Sequence, residues 1–323
     1  MEYVTFGRTG LQVSRLALGT GNFGTGWGYG ADAEAARAIF DAYADAGGNF
    51  IDTADVYQFG QSEEIVGTLL QGRREDFVLA TKFANGAVAA PNRLVTGNSR
   101  KAMVASVEAS LKRLKTDRIE LYWVHHPDTA TPSEEIVRGL DDLARAGKIL
   151  YAGLSNFPAW RVAHAATLAE LTGKVPIAAA QFEHSLVHRD PESDLFPACH
   201  ALGIAPVTWS PLGGGVLTGK YRKGETGRKE GFGGRVFQDE NSKARTATVD
   251  AVLAIAQELG TSSDRIAIAW AMGHGSVPII GPRTLEQTKS NLGAADITLS
   301  TEQIARLDTV SGIADIANGS AGS

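Results

Sequence analysis

Cysteine is nearly missing from this 323-residue chain: Cys199 stands alone, which permits no internal disulfide and predicts a reducing, cytoplasmic location. Long apolar runs are missing too. The best candidate, IAIAWAM at 266–272, falls far short of the ~20 residues a membrane helix needs, so no membrane partner is expected. The opening MEYVTFGRTG lacks a basic n-region and an apolar h-region, so no secretory signal is expected. There is no basic surplus either. The 31 Lys+Arg against 36 Asp+Glu leave a formal net charge of −5, which argues against nucleic acid as the main partner. No Pro/Ser linker, charge block or composition shift divides the chain. Residues 1–311 are therefore expected to form one domain, with the small, polar stretch 312–323 as a loosely ordered tail. The abundant residue is glycine, at 37 copies, well above the ~7% usual for proteins.

What repeats along the chain is a short β-branched run, a polar or glycine-rich break, and an amphipathic helix. YVTF, GRTG and LQV read as a hairpin turning on glycine. RLALG (15–19) is then a first strand, and AEAARAIFDAYADAG (33–47) a helix with Ala36, Ile39, Phe40 and Tyr43 on one face and Gly47 as its stop. NFID (49–52), FVLATK (77–82) and IELYWVHH (119–126) are strands two to four. Helices are expected around 61–70, around 99–115, and on the Ile136, Val137, Leu140, Leu143 face before Gly147. KILYAGLSN (148–156), PIAAAQ (176–181), IAPVTWS (204–210) and VPIIG (277–281) complete eight strands. Helices near 247–259 and 263–273 lengthen the unit before the eighth strand, and 301–310 reads as an extra C-terminal helix. Eight strand–helix units predict a closed (β/α)8 TIM barrel with an N-terminal β-hairpin.

In such a barrel the chemistry sits at the C-terminal ends of the strands. There the sequence places Asp52, Lys82, His125 and His126, Ser155 and Asn156, Gln181, Trp209 and Ser210 on successive strands. One polar strand end would mean little, but a carboxylate, an ammonium and an imidazole on three adjacent strands form a constellation. Tyr57, in DTADVY just past the second strand, can lean back over the mouth. A phenol is a weak acid, and a neighbouring ammonium makes it a better one by favouring the phenolate. The group therefore suits proton delivery to a carbonyl oxygen, with Lys82 assisting Tyr57, Asp52 holding Lys82, and His125 polarising the carbonyl.

These residues lie in segments that resemble the aldo-keto reductase family. The resemblance runs through FGRTGLQVSRLALGT, NFIDTADVY, VLATK, LYWVHHPD, GLSNF, WSPLGGGVLTGKY and PIIGPRTLEQTKSN, about 1–311. It implies a barrel without a Rossmann domain and reversible, NAD(P)H-dependent reduction of an aldehyde or ketone, with Asp52, Tyr57, Lys82 and His125 as the catalytic tetrad. It further implies that Ser155, Asn156 and Gln181 hold the nicotinamide carboxamide and that Trp209 stacks on the ring. Backbone amides from Ser210 through Pro211 and Leu212 to Gly214, with Lys220, would lie along the pyrophosphate. Gly281, Arg283, Gln287 and Asn291 would hold the adenosine end. Arg283 suits a 2′-phosphate, favouring NADP(H), with NAD(H) as the other possibility. The chain departs from the family pattern at His184, where many relatives carry Tyr, which points to a difference at that side of the rim.

Substrate contacts are expected from Trp27, Tyr29, Phe59 and Phe83, an apolar set suited to a ring-bearing substrate, and His126 either faces the substrate or caps the barrel wall. GTGNFG at 19–24 matches a dinucleotide fingerprint, but its loop runs on through Gly26, Gly28 and Gly30 where a helix should open. GGVLTGKY at 214–221 has Tyr221 where a P-loop needs Ser or Thr. His125 and His126, as strand neighbours, are expected on opposite faces, and His184 and His188 lack HExxH, so no metal is predicted. A cofactor-binding sensor or channel-associated subunit with weak turnover is the alternative function, and a barrel isomerase or metal hydrolase a third. The glycine excess concentrates at 19–30 and 213–234, read as two loops whose mobility serves binding and release.

Overall fold

The computed structural model describes residues 1–224 and 238–312. A two-stranded antiparallel hairpin, β1 (Tyr3–Thr5) and β2 (Gln12–Ser14), precedes eight parallel strands that close into a barrel. These are β3 (Ala17–Gly19), β4 (Phe50–Asp52), β5 (Val78–Phe83), β6 (Ile119–Val124), β7 (Ile149–Ser155), β8 (Ile177–Glu183), β9 (Ala205–Trp209) and β10 (Val277–Ile280). They pair in chain order, and β10 closes on β3 through Ile279 opposite Ala17.

Helices α1 (Ala33–Asp45), α2 (Gln61–Leu69), α3 (Arg100–Leu114), α4 (Ser133–Arg145), α5 (Ala159–Leu171) and α6 (Leu195–Leu202) follow the first six barrel strands. Helices α7 (Lys243–Glu258) and α8 (Ser263–Gly273) both fall between β9 and β10, and α9 (Leu285–Leu292) and α10 (Thr301–Val310) end the described chain. The fold is the expected (β/α)8 barrel with its hairpin and extra helix. Strand β6 stops at Val124, two residues before the predicted end, and this matters at the site. No helix among the described residues is long and apolar enough to cross a membrane.

Successive strand residues face opposite sides, and each strand accordingly divides into two sets. Leu18, Ile51, Leu79, Tyr122, Leu154 and Phe182 pack outward into a core shared with the helices. Ala17, Phe50, Val78, Ala80, Leu121, Trp123, Ala179 and Val207 fill the interior together with Phe6 and Val13 of the hairpin region. The Trp123 ring takes the volume beside β7, where a Cβ on Gly153 would come within 2.4 Å of it. Phe6 meets Phe50 edge-to-face at 5.5 Å, so apolar rings seal the hairpin end of the barrel.

Two residues further up the strands the interior turns polar. Asp52 follows Phe50, Lys82 follows Ala80, His125 follows Trp123, Ser155 follows Gly153, Gln181 follows Ala179 and Trp209 follows Val207. The two-residue period carries all of them to the same mouth.

Candidate active site

The barrel opens at that mouth into a cavity of about 1050 Å³. At its floor the Lys82 ammonium is fully buried, paired with the Asp52 carboxylate, and donates hydrogen bonds to the Thr53 carbonyl at 3.0 Å and to Tyr57 Oη at 3.2 Å. Burial alone would lower its pKa. The Asp52 carboxylate, with Tyr57 beside it, more than offsets that penalty and holds Lys82 above the usual lysine range. The second Asp52 oxygen accepts from Gln181 Nε2 at 3.0 Å, which leaves the Gln181 carbonyl oxygen as an acceptor on the cavity wall.

His125 lines the same cavity, its ring 5.9 Å from that of Tyr57 in an edge-to-face arrangement. Burial, then the charge of Lys82 and the neighbouring His126, push its pKa well below the usual histidine range, so the ring is neutral. The Asn85 amide nitrogen sits 3.2 Å from His125 Nδ1. Donation from that amide makes Nδ1 the acceptor and puts the ring proton on Nε2. The expectation that His125 and His126 face opposite sides is wrong: their rings stack at 4.5 Å with 14° between planes, and both line the cavity. The strand has ended at Val124, so its alternation no longer sends His126 to the face opposite His125.

Asn156 joins three walls. Its Nδ2 donates to the His125 carbonyl at 2.9 Å and to Ser155 Oγ at 3.0 Å, and its Oδ1 accepts from the Trp209 indole at 3.0 Å. Ser155 itself is fully buried behind it and does not line the cavity. Asn156 and Ser210 both hold left-handed backbone, φ 61° and 56°, just past β7 and β9. For non-glycine residues such conformations cost on the order of 1–3 kcal/mol and gather at functional sites. Pro211, Leu212, Gly214, Lys220, Gly281, Arg283, Gln287 and Asn291 continue the wall, so the cofactor residues named from sequence lie along one trough, Ser155 excepted.

Among the expected substrate contacts, Trp27 and His126 line the cavity. Trp27 meets Tyr57 edge-to-face at 6.1 Å, with Tyr29 and Phe59 each 6.4 Å from its ring, so these two surround Trp27 without lining the cavity themselves. Phe83 is a correction. It is fully buried outside the barrel, stacked on Tyr122 at 5.2 Å, because Lys82 before it takes the inward position. His184 is likewise absent from the rim. It lies buried behind β8, hydrogen-bonded to Glu192 at 2.8 Å and stacked on Trp270 at 5.0 Å. Burial would raise the Glu192 pKa, yet the hydrogen bonds from His184 and Arg189 hold it at about 2. Arg189 also pairs with Asp308, and through it this cluster anchors α10.

The first glycine-rich loop is braced rather than loose. Gln61 Oε1 accepts from the amides of Thr25 and Gly26, Gln58 Oε1 from that of Trp27, Gln58 Nε2 donates to the Gly21 carbonyl, and Asn22 reaches the Gly281 carbonyl at 2.7 Å. In the second loop Gly227, Gly231, Gly233 and Gly234 lie outside the described residues. The sequence reading missed Asn85, Gln58 and Gln61. Asn85 lies two residues past the end of β5, beyond the reach of the strand-end rule that found Lys82. Nothing local marks Gln58, whose bracing role follows from the left-handed turn at Gln58 and Phe59.

The aldo/keto reductase family model matches residues 15–311. The chain belongs to this family. It is 37% identical over 96% of both chains to an uncharacterised oxidoreductase of Bacillus subtilis, and 38% identical over 93% of its own length and 83% of the other to an aryl-alcohol dehydrogenase [NADP(+)] of Phanerodontia chrysosporium. A probable voltage-gated potassium channel subunit beta of rice is 34% identical over 96% of each chain. The protein is thus an NAD(P)H-dependent oxidoreductase acting on carbonyl or alcohol groups.

Proposed function

We propose that the protein reduces aldehydes or ketones with NADPH, and oxidises the matching alcohols, with Tyr57 as the proton donor and acceptor. The observation that carries this reading is the buried ammonium of Lys82, tied to Asp52 and donating at 3.2 Å to the Oη of Tyr57, which lines the cavity. A purely structural ion pair has no use for a phenol on its third hydrogen bond. The charge on Lys82 stabilises the Tyr57 oxygen as its proton leaves, and the neutral His125, protonated on Nε2, donates to the carbonyl oxygen and orients it.

The trough fits a dinucleotide. The Ser210 hydroxyl is buried on its wall with no hydrogen-bond partner among the described residues, an acceptor's partner in waiting. A Cβ added to Gly214 would meet nothing within 4 Å, and one on Gly281 only Asn22 Nδ2 at 3.9 Å, so backbone and ligand can approach closely there. Asn156 and Gln181 would hold the carboxamide, Trp209 the ring, Ser210 to Gly214 with Lys220 the phosphates, and Gly281, Arg283, Gln287 and Asn291 the adenosine. When bound, the nicotinamide supplies or accepts the hydride. Arg283 supports a 2′-phosphate partner, in keeping with the NADP(+) in the Phanerodontia relative's name. That relative and the Trp27 wall support an aryl substrate. The likeness to the rice channel subunit supports a second reading, a cofactor-binding subunit with weak turnover. The complete tetrad favours catalysis.

The test is a panel of carbonyls and alcohols followed by nicotinamide absorbance with both cofactors. Tyr57→Phe should lower kcat by ~10²–10⁴ while NADPH still binds. Substantial residual turnover would remove Tyr57 from the acid role.

A further inference from the structure

The six glycines at 19–30 differ in why they are glycine. Gly24, Gly28 and Gly30 have φ of +112°, +81° and +143°, the region that disfavours side chains. A Cβ on Gly19 would lie 2.5 Å from Ile279 Cγ2, and one on Gly26 2.6 Å from the Gln58 carbonyl oxygen. Gly21 meets neither restriction. Its φ lies outside the left-handed region, and the nearest neighbour of a Cβ there would be the Tyr57 ring, 3.7 Å from Cε2 and 3.8 Å from Cδ2 and Cζ, which is ordinary van der Waals contact.

The backbone at position 21 therefore accepts a Cβ without strain or clash, and what glycine supplies is space beside the Tyr57 ring. That space adjoins Cζ, the ring carbon bearing the hydroxyl, and Gly21 lines the cavity. Trp27 and His125 hold the Tyr57 ring edge-to-face, at 6.1 and 5.9 Å between centroids. The Gly21 carbonyl is held by Gln58 Nε2 at 3.1 Å, so the loop cannot easily retreat from a larger side chain.

We propose that Gly21 is a specificity-determining residue, leaving open beside the Tyr57 hydroxyl a subsite that admits carbonyl compounds with a bulky, ring-bearing substituent. The inference rests on Tyr57 being the proton donor. Side chains added at position 21 fill the subsite stepwise, and a pocket that loses one methylene's room typically discriminates by ~10–200-fold.

The experiment compares wild type, Gly21→Ala and Gly21→Val on propanal and 2-naphthaldehyde, with NADPH affinity measured by fluorescence. The naphthaldehyde-to-propanal ratio of kcat/KM should fall about 10-fold in Gly21→Ala and about 100-fold in Gly21→Val, at constant NADPH Kd. An equal loss on both substrates, or a Kd that rises in step, overturns the proposal, the latter assigning position 21 to the cofactor. Should wild type reduce neither these aldehydes nor any carbonyl of the wider panel, the Tyr57 reading fails on its own. The size limit is then read by calorimetry from 2-naphthalenemethanol against 1-propanol binding in the presence of NADP+: a weakening of the larger alcohol alone by Gly21→Val supports it, and parallel weakening or none overturns it.

Discussion

The two ends of the barrel are built by the same eight strands and differ in almost every physical respect. At the hairpin end, Phe6, Val13, Phe50 and Val78 belong to one buried apolar cluster. At the other end a carboxylate and a neutral imidazole line one cavity, with a buried ammonium paired to the carboxylate behind that wall. Only two residues, ~7 Å of strand, separate Ala80 from Lys82 and Trp123 from His125. One end supplies cohesion, and the other holds groups whose burial opposes folding unless each is partnered.

The largest expected effect comes from breaking the cohesive end. Phe6→Ala removes the ring that packs on Phe50 and leaves a cavity in a close-packed interior, with an expected loss of ~3–5 kcal/mol in unfolding free energy. Because the far end keeps its own partners, kcat/KM measured well below the melting transition should stay near wild type. Denaturant titration and kinetics on one preparation check this, and a comparable fall in kcat/KM would show the two ends to be coupled.

At the reactive end, removing a charge should have the opposite sign. Asp55, two residues before Tyr57, is raised to about 7 by burial and by Glu63, against the pull of Arg113 and the Gly86 amide. One of its oxygens has no partner among the described residues. Between its unfolded value near 4 and about 7 the folded chain keeps a proton that the unfolded chain has released, so stability falls as pH rises through that window. Asp55→Asn removes the penalty. It should stabilise the protein at pH 8 by up to ~4 kcal/mol, and the gain should vanish near pH 4. Melting curves across that range decide it, and a pH-independent change of either sign would mean that the carboxylate is not an uncompensated charge.

The contrast between the ends was legible in the sequence as far as strand periodicity reaches. Asp52, Lys82, Gln181 and Trp209 could be placed at one mouth because each lies at or near the C-terminal end of a strand, and a polar side chain there is costly anywhere but in a site. Phe83 was misplaced by weighing its aromatic character above the alternation that already sent Lys82 inward. The stacked pair His125 and His126 was hidden because periodicity says nothing once the strand has ended. His184 read as a rim residue, yet its partners Glu192 and Trp270 come from separate segments that only the folded chain brings together. Gln58 was illegible for the same reason: its side chain is spent on the backbone of a loop some thirty residues away.

The smallest effect probes how finely the reactive end is set. Asn85 fixes which nitrogen of His125 carries the proton, through a single hydrogen bond of 3.2 Å. Such a bond contributes ~0.5–1.5 kcal/mol, so Asn85→Ala should lower kcat by only ~3–10-fold, with NADPH affinity unchanged. Asn85→Asp should cost more, because a carboxylate beside Nδ1 can only accept and draws the proton away from Nε2. Nitrogen-15 shifts of the His125 ring separate this from simple loss of packing. The Nε2–H form should dominate in wild type, mix with the other tautomer in Asn85→Ala, and give way to it in Asn85→Asp. If Nε2 stays protonated in all three while kcat falls, Asn85 acts on the substrate and not through His125.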